Sequence, residues 1–299
     1  MKMVNKKCLV LLATYNGASF IAQQIESILN QENITITLVI SDDISTDSTL
    51  EIIKSYADSR IIFLPNVGKF GSASQNFFRL IMDTDFEEFE FIAFADQDDL
   101  WRSNKLITSI NSIKETNSDA FSSNVLAFWE DGTKVVINKS GKQKLFDYIF
   151  SSASPGCTYV VKNELLTDFK QKLSKKKDLS KKIDLHDWLL YAFARSNNYK
   201  WYVSDIITMD YRQHSTNEFG ANLGFYAFLS RWKRARNGWY RKQIIYTAEF
   251  CEINNNIIKL LIRNNYLDRI KLLKDVFQYR KKKKEALFLA LTLLFPGYK

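Results

Sequence analysis

Short apolar runs alternate with helical spacing over the first hundred residues, and this alternation constrains the fold more than any other feature. Four runs have the length and composition of buried strands: Lys7–Ala13, Ile36–Ser41, Arg60–Leu64 and Glu90–Ala95. Between them, apolar residues recur every three or four positions, which predicts one helix over 20–29 and another that begins at Ser48 or Thr49. Strands that alternate with helices are typical of an α/β protein with a parallel sheet and right-handed crossovers.

A polar segment follows each of the four strands, where an open parallel sheet binds its ligands. These segments are 14–17, 42–47, 66–69 and 96–99. The last contains Asp96, Asp98 and Asp99 directly after an apolar strand. Carboxylates this close repel one another unless a cation or water lies among them, and such oxygen ligands suit Mg²⁺ or Mn²⁺. The alternative is an acidic turn in which Asp98 or Asp99 caps a helix.

Helices and strands are mixed beyond residue 101. A helix is predicted around 106–113 and another from His186, and Lys170–Lys182 is expected to be an exposed helix end or a loop. A polar loop is expected to begin at Tyr211, and the chain from about residue 225 is predicted to be helical. The predicted strands are Val125–Trp129, Lys134–Asn138, Thr158–Val161 and Trp201–Ile207.

Positive charge is concentrated in the C-terminal part of the chain. Residues 231–299 contain 17 Lys and Arg against 5 Asp and Glu, whereas the whole chain has 42 against 33. Such a basic module favours an anionic partner, either a membrane surface or a nucleic acid. No DNA- or RNA-binding motif accompanies the charge, so no nucleic-acid partner is expected.

The basic region ends in five consecutive cations, Arg280–Lys284, followed by the apolar stretch Ala286–Phe295. Ten helical residues span about 15 Å, which is half of a bilayer core and too short to cross it. Two alternatives remain. The segment is an interfacial helix that contacts the inner leaflet through 280–296, or it is part of a hairpin that packs on the catalytic domain or on a second subunit of a homo-oligomer.

Cysteine usage and the N-terminus both favour the cytoplasm. Cys8, Cys157 and Cys251 are far apart and form no CxxC pair, which favours free thiols and excludes a zinc site built from cysteines. The first apolar run, 8–13, is shorter than a signal-peptide core. We therefore expect a cytoplasmic protein, held peripherally at the membrane if the interfacial-helix alternative is correct.

Three motifs in a fixed order resemble those of a known enzyme family. ATYNGASFIAQQIESILNQ, VISDDISTDST and FADQDDLW are similar to the inverting nucleotide-sugar glycosyltransferases of family 2, which have the GT-A fold. HDWLLY and YRQHSTNEFGAN further resemble bacterial rhamnosyltransferase-like members that extend cell-surface polysaccharides. The resemblance covers about 6–222. It implies a GT-A domain at 1–222, with a Rossmann-like, mostly parallel sheet flanked by helices, and a basic helical region at 223–299.

The resemblance implies that the nucleotide lies beside the segments that follow the first two strands. Thr14 and Tyr15 would line the base pocket, with Asn16 next to them. Asp43, with Asp42 beside it, would accept a hydrogen bond from the base. The alternative for Tyr15 and Asn16 is a turn that only ends the strand.

The same resemblance implies a DxD metal site for Mg²⁺ or Mn²⁺. Asp98 would bind the metal, and Asp96 would contact the ribose or the metal. His214 is a further metal ligand, with a surface-loop imidazole as the alternative. The family usually has Gly after its Asp pair, but Ile44 stands there in this chain, and β-branched residues avoid positive φ.

The resemblance is less specific about the residues that contact the diphosphate and the acceptor. Arg212 would lie near the diphosphate, and Lys105 and Trp101 are weaker candidates. No P-loop signature is present, so phosphate handling must come from a metal and from cations.

Asp187 matches the position of the family's catalytic base, near Trp188, and Gly156 belongs to a loop on the acceptor side. A partly desolvated carboxylate is suited to accept a proton from the acceptor hydroxyl. The alternative is an Asp that caps a helix while Trp188 packs in the core.

These observations predict a metal-dependent inverting glycosyltransferase. It would move a sugar, with L-rhamnose as one candidate, from a nucleotide-diphosphate donor to a hydroxyl of a bacterial cell-surface glycan or a lipid-linked acceptor. One alternative is a sugar-nucleotide nucleotidyltransferase, although ATYNG does not resemble the Gly-rich triphosphate loop of that class. The other is a non-catalytic scaffold that binds a membrane or nucleic acid through its C-terminal cations.

Overall fold

Four parallel strands form one half of the central sheet. The structure is a computed structural model and describes residues 6–214, 232–234 and 236–294. The strands lie in the order β3-β2-β1-β4, and all neighbours are parallel. Their bounds are β1 (Lys7–Thr14), β2 (Thr35–Asp42), β3 (Ile61–Phe63) and β4 (Phe91–Ala95). The four predicted strands are thus confirmed, each end to within one residue.

The other half of the sheet is mixed. Its strands are β5 (Leu100–Trp101), β6 (Ala120–Phe128), β7 (Lys134–Ile137), β8 (Val160–Lys162) and β9 (Trp201–Arg212). β8 pairs antiparallel with β4 and β6, and β9 is parallel to β6. β5 pairs antiparallel with β9, and β7 pairs antiparallel with β6. Tyr211 and Arg212 were expected in a loop, but β9 continues through both because Tyr211 and Arg212 pair with β6.

Helices cover both faces of this sheet. They are α1 (Ile21–Leu29), α2 (Thr49–Ser55), α3 (Ala73–Asp83), α4 (Lys105–Glu115), α5 (Asp147–Phe150), α6 (Asn163–Lys175), α7 (Lys177–Ser180) and α8 (His186–Ser196). Neighbouring residues of β1 point to opposite faces. Leu9 packs in a core with α3 and α8, whereas Val10 packs in a second core with α1 and α4. The Lys170–Lys182 stretch, expected to be a helix end or a loop, is largely helical in α6 and α7.

The C-terminal region is helical and shares one of these cores. Its elements are α9 (Trp239–Phe250), α10 (Asn256–Arg263), α11 (Tyr266–Leu272), a 3-10 helix (Leu273–Gln278) and α12 (Lys283–Leu294). Ile244, Leu260 and Leu289 belong to the same buried cluster as Leu9. The predicted helical extension is confirmed over the described residues, and the expected boundary at 222/223 lies outside them. Within the described ranges, no helix combines the length and the apolar character that a membrane span requires.

The turn after β2 places a β-branched residue in the left-handed region. Ile44 has a φ of 60° and its side chain is exposed. Asp42 closes the turn around it, because its carboxylate accepts from the Ser45 N–H at 2.7 Å and from the Ser45 hydroxyl at 2.5 Å. A residue with a Cβ in this conformation is strained by about 1–2 kcal/mol. The hydrogen bonds of Asp42 therefore hold the turn against the preference of Ile44.

Replacing Ile44 with Gly should stabilise the protein. Removal of the side chain releases the strain, while Gly costs about 0.5–1 kcal/mol of chain entropy, so the free energy of unfolding should rise by about 0.5–1 kcal/mol. Denaturant unfolding measures this difference. Ile44→Val, which keeps the β-branch, is the matched control and should leave the free energy of unfolding within about 0.5 kcal/mol of the wild-type value. A destabilised Gly variant would contradict the strain at this turn.

Candidate active site

A cavity of about 960 Å³ opens where β1 and β4 end. Thr14, Tyr15, Asp43, Asp96 and Asp98 line one end of it. The first turn of α8 and the C-terminal helices line much of the remainder, together with the start of α3 and residues around 137–139 and 150–156. The sequence-predicted residues in that second part are Gly156, Asp187 and Trp188. One cavity therefore contains most of the residues predicted for the nucleotide, the metal and the base.

Two predicted nucleotide residues support the cavity wall without lining it. Asp42 is fully buried and accepts a hydrogen bond from the Thr14 hydroxyl at 2.8 Å. The side-chain oxygen of Asn16 accepts from the Thr46 N–H at 2.8 Å. Asp43 does line the cavity, and its carboxylate accepts from the backbone N–H groups of Phe70 and Gly71. Asp42 and Asn16 thus hold the turns that present Thr14, Tyr15 and Asp43.

Gln97 joins the loop after β1 to the loop after β4, a link that the sequence analysis missed. Its amide accepts from the Tyr15 N–H at 2.8 Å and donates to the Tyr15 carbonyl at 2.9 Å. Gly17 makes room for this contact, because a Cβ there would lie 2.3 Å from the Gln97 side-chain oxygen. The Tyr15 ring stays exposed, and the Lys69 ammonium lies 5.4 Å from its centroid.

The end of β9 brings His214 and Arg212 to the acidic segment. His214 Nε2 lies 2.8 Å from Asp98 Oδ2. The guanidinium of Arg212 donates to the Asp98 carbonyl oxygen at 2.9 Å, and its backbone N–H donates to Asp99 at 3.2 Å. Burial, reinforced by the charges of Asp98 and Asp96, holds the pKa of Asp99 well above its usual range. The segments DQDD and YRQH, far apart in sequence, therefore form one polar cluster.

This cluster fits a divalent cation. Asp98 and His214 place an oxygen and an imidazole nitrogen close enough to ligate the same ion. Single ligand atoms of Asp96, Asp99 and Cys157 also lie within 4.8 Å of one another. Among the described residues, the buried Oδ2 of Asp99 has no hydrogen-bond partner. The carboxylate oxygens of this cluster suit Mg²⁺ or Mn²⁺.

Lys105 and Trp101 lie behind the cluster and do not line the cavity. Lys105 is fully buried, donates to the Cys157 carbonyl oxygen, and has its ammonium 3.9 Å from the centroid of the Trp101 ring. Burial lowers the pKa of Lys105 to about 8, against the charges of Cys157 and Asp99. The expectation that these two side chains contact a diphosphate is corrected, because both are sealed in the core.

Asp187 lies in the first turn of α8, at the other end of the cavity. Burial raises the pKa of its carboxyl to about 6, although the Trp188 N–H donates to it at 2.7 Å. Because Gly156 has no side chain, α8 packs directly against the backbone at this position. A Cβ there would lie 3.0 Å from the Cβ of Asp187 and 2.7 Å from His186 Nε2. Trp188 is buried, and its indole N–H donates to the Tyr148 carbonyl at 2.8 Å.

His186 also lines this end of the cavity, and the sequence analysis missed it. Its ring stacks on Phe77 with centroids 4.0 Å apart. Burial lowers the pKa of His186 to about 3, so its imidazole is neutral at physiological pH. Its position directly before Asp187 in the motif HDW is the sequence feature that indicates a place for His186 in the site.

The C-terminal helices close the cavity beyond Asp187, which no local motif indicated. Trp239 and Tyr240 of α9 line it, as do Arg280 and Lys284 near the start of α12. Trp239 donates its indole N–H to Asp184 at 2.5 Å, and the Tyr240 ring stacks on Trp188 with centroids 5.7 Å apart. The C-terminal region is therefore part of the site.

Comparisons with known proteins identify the family of the chain. Residues 9–160 match the family described as Glycosyl transferase family 2. The chain is 40% identical over 286 residues to the dTDP-rhamnosyl transferase RfbG of Shigella flexneri, covering 95% of this chain and 99% of that one. It is 29% identical over 168 residues to WfgD of Escherichia coli, named UDP-Glc:alpha-D-GlcNAc-diphosphoundecaprenol beta-1,3-glucosyltransferase, covering 54% of this chain and 62% of that one.

Solved structures share the fold at low sequence identity. TarS 1-349 of S. aureus in complex with UDP has a TM-score of 0.56 at 19% identity, covering 93% of this chain and 76% of that one. The mannosyltransferase PcManGT of Pyrobaculum calidifontis, in complex with GDP-Man and Mn²⁺, has a TM-score of 0.53 at 13% identity, covering 97% and 85%. The fold expected from the sequence is confirmed. The chain is a glycosyltransferase and belongs to glycosyl transferase family 2.

Proposed function

We propose that this glycosyltransferase transfers L-rhamnose, with inversion, from a dTDP-linked donor to a hydroxyl of a growing cell-surface glycan on a lipid diphosphate carrier. The observation that carries the proposal is that one cavity is lined both by Asp98, which contacts His214, and by Asp187, whose carboxyl has a raised pKa. The similarity to a dTDP-rhamnosyl transferase supports the donor. The diphosphoundecaprenol acceptor named for WfgD supports the carrier.

The donor lies at the end of the cavity lined by Thr14, Tyr15 and Asp43. The exposed Tyr15 ring offers a flat surface to the base, and Lys69 adds positive charge beside it. Asp98 and His214, with Asp96, would hold Mg²⁺ or Mn²⁺, which supplies positive charge for the diphosphate that leaves. Arg212 fixes the backbone of Asp98 through its guanidinium.

Asp187 is the base in this proposal. Its carboxylate accepts the proton of the acceptor hydroxyl while the hydroxyl oxygen attacks the anomeric carbon of the donor. The bond between that carbon and the phosphate oxygen breaks, and the nucleoside diphosphate leaves with the bonding electrons. Attack from the face opposite the leaving group inverts the anomeric configuration. A buried carboxylate is more basic than an exposed one, so burial adapts Asp187 to this task.

Transfer should fail at low pH because Asp187 must be ionised to accept a proton. Below its pKa of about 6 the carboxyl is protonated, so kcat/KM should fall about tenfold per pH unit as the pH decreases. Asp187→Asn should lower the rate by about 10²–10⁴. Release of dTDP from dTDP-rhamnose in the presence of acceptor measures both effects.

Asp184→Asn is the matched control for this prediction, because Asp184 also lines the cavity and bonds Trp239. Its pH profile should keep the same acid limb. An Asp187→Asn variant of full activity, or an acid limb that Asp184→Asn removes, would contradict the assignment of the base.

Donor binding should depend on the metal through Asp98. Asp98→Asn removes an anionic ligand, and the affinity for dTDP with Mn²⁺ should fall at least about tenfold, to the level that EDTA produces in the wild-type protein. Isothermal titration of dTDP with Mn²⁺ and with EDTA measures this. Asp178→Asn is the control, since Asp178 is an exposed residue of α7. Equal affinities with Mn²⁺ and with EDTA in the wild-type protein would contradict the metal requirement.

We further propose that 1–222 is the GT-A domain and that 223–299 attaches it to the cytoplasmic leaflet. Exposed apolar side chains are concentrated on α11, on the 3-10 helix after it and on α12, which contact one another. We call these residues the C-terminal apolar surface: Tyr266, Leu267, Ile270, Phe277, Leu287, Leu291 and Leu294. Exposed cations, among them Lys271 and Lys274, lie on the same elements. Apolar side chains flanked by cations fit an anionic bilayer.

The cations 280–282 contribute less to this contact than the sequence suggests. Arg280 donates to the Tyr240 hydroxyl at 2.6 Å, Lys281 donates to the Lys139 carbonyl at 2.8 Å, and Lys282 donates to the Asn138 carbonyl. Lys281 and Lys282 thereby fasten the segment to the catalytic domain, and Arg280 bonds α9 within the C-terminal region. The membrane contact proposed for 280–296 therefore rests mainly on α12 and extends to α11.

Leu267→Glu combined with Leu291→Glu should abolish binding to anionic vesicles. The two carboxylates add negative charge to exposed positions that are 68% and 63% accessible, so folding should be retained. Co-sedimentation with phosphatidylglycerol vesicles measures binding, with phosphatidylcholine vesicles as the neutral comparison. Leu145→Glu, at an equally exposed leucine elsewhere, is the control. Equal pelleting of all proteins would contradict the proposal, as would a halved mass of the double variant by light scattering, which would instead indicate a homo-oligomer interface.

A further inference from the structure

A group of cations lies in the same cavity beyond Asp187. Lys139 follows β7, and Arg280 and Lys284 come from the basic run before and at the start of α12; all three line the cavity. We call these three residues the cationic cluster. The donor end of the cavity has its own phosphate-binding elements, so neither the nucleotide nor the base accounts for this cluster.

Contacts within the fold hold Lys139 and Arg280 in place, and Lys284 reaches the cavity from the exposed first turn of α12. Lys281 anchors the cluster by donating to the carbonyl oxygens of Lys139 at 2.8 Å and of Ala153 at 2.7 Å. Arg280 donates to the Tyr240 hydroxyl, which donates in turn to the Phe150 carbonyl at 2.5 Å. Residues separated by about 140 positions in sequence are thereby held together.

Positive charge exceeds negative charge among these side chains. The charged groups that act on Lys139 are Glu285 and Asp187, which favour its charged form, and Arg280 and Lys282, which oppose it. Burial and these cations together lower the pKa of Lys139. Like charges held together in a partly buried site repel one another, and a bound anion removes that repulsion.

Contacts between neighbouring residues show the order in which the donor end, Asp187 and the cationic cluster lie along the cavity. Cys157 lies beside Asp99 at the donor end, and the adjacent Gly156 touches Asp187. Lys139 lies within electrostatic reach of Asp187 and of the C-terminal cations. Asp187 therefore stands between the donor's metal-binding residues and the cationic cluster.

We infer that the cationic cluster binds a phosphate or diphosphate group carried by the acceptor. This inference rests on the proposed function, in which the acceptor hydroxyl lies at Asp187 and the donor diphosphate lies at Asp98. Phe288 and Leu289 line the cavity next to the cluster and offer an apolar path for the hydrocarbon chain attached to that phosphate. The C-terminal region thereby determines which acceptors the enzyme uses.

Inorganic pyrophosphate, titrated calorimetrically into the metal-free full-length protein in EDTA, tests the site directly. We expect binding that persists when dTDP is added. Lys139→Met and Lys284→Met should each weaken it at least about fivefold, because each removes one cation from a partly buried anion site. Lys142→Met is the matched control, since Lys142 is an exposed lysine three residues after Lys139 that does not line the cavity.

Three outcomes would overturn the inference: absence of pyrophosphate binding, displacement of pyrophosphate by dTDP, or an equal loss of affinity in Lys142→Met. Displacement by dTDP would assign the cluster to the donor diphosphate. The titration contains no metal and no donor sugar, so it can succeed or fail independently of dTDP release from dTDP-rhamnose with Mn²⁺, which tests the proposed function.

Discussion

The concentration of carboxylates at the carboxyl edge of the parallel strands is the constraint on which the site depends. The carboxylates at this edge differ in their surroundings. Asp42 accepts from Thr14 and Ser45, and Asp43 accepts from two backbone N–H groups. Burial favours a protonated Asp99. Asp98 meets an imidazole, and this pairing makes one point of the edge suited to a cation. Protein groups thus satisfy Asp42 and Asp43, and the metal position that we propose lies at Asp98.

The segment 155–157, which enters a 3-10 helix at Gly156, connects the two ends of the cavity. Cys157 lies against Asp99 and accepts from Lys105 through its carbonyl oxygen, and the preceding Gly156 contacts His186 and Asp187. Two consecutive residues therefore contact the acidic cluster at one end and Asp187, the base that we propose, at the other. Gly156 has no side chain, so its backbone lies against α8, whereas Cys157 faces Asp99 through its Sγ atom. Gly156 is required there, since any Cβ would push α8 away from the cavity.

Local patterns in the sequence predicted the strands that are buried in the protein interior. Continuous apolar runs predicted β1, β2 and β4, because a strand that is covered on both faces carries apolar side chains on both faces. Long-range contacts could not be predicted in this way. Asp42 and Asp43 are neighbours, but only Asp43 lines the cavity, since successive residues at a strand end point in opposite directions. Lys105 is polar in sequence and sealed in the core. The cavity wall formed by Tyr240 and Arg280 depends on contacts with Phe150, which no periodicity encodes.

Helix α12 connects the two functions proposed for the C-terminal region. Glu285, Phe288, Leu289 and Thr292 line the cavity, whereas Leu287, Leu291 and Leu294 are exposed. At 3.6 residues per turn these two sets occupy different sides of one helix. A helix that rests on a bilayer through one side therefore presents its other side to a substrate that emerges from the same bilayer. A diphosphate headgroup lies at the lipid surface, so the cations before α12 are placed where that group would arrive. Membrane attachment and acceptor recognition would then both follow from the amphipathic character of α12, while the GT-A domain would provide the donor site and the base Asp187 of α8.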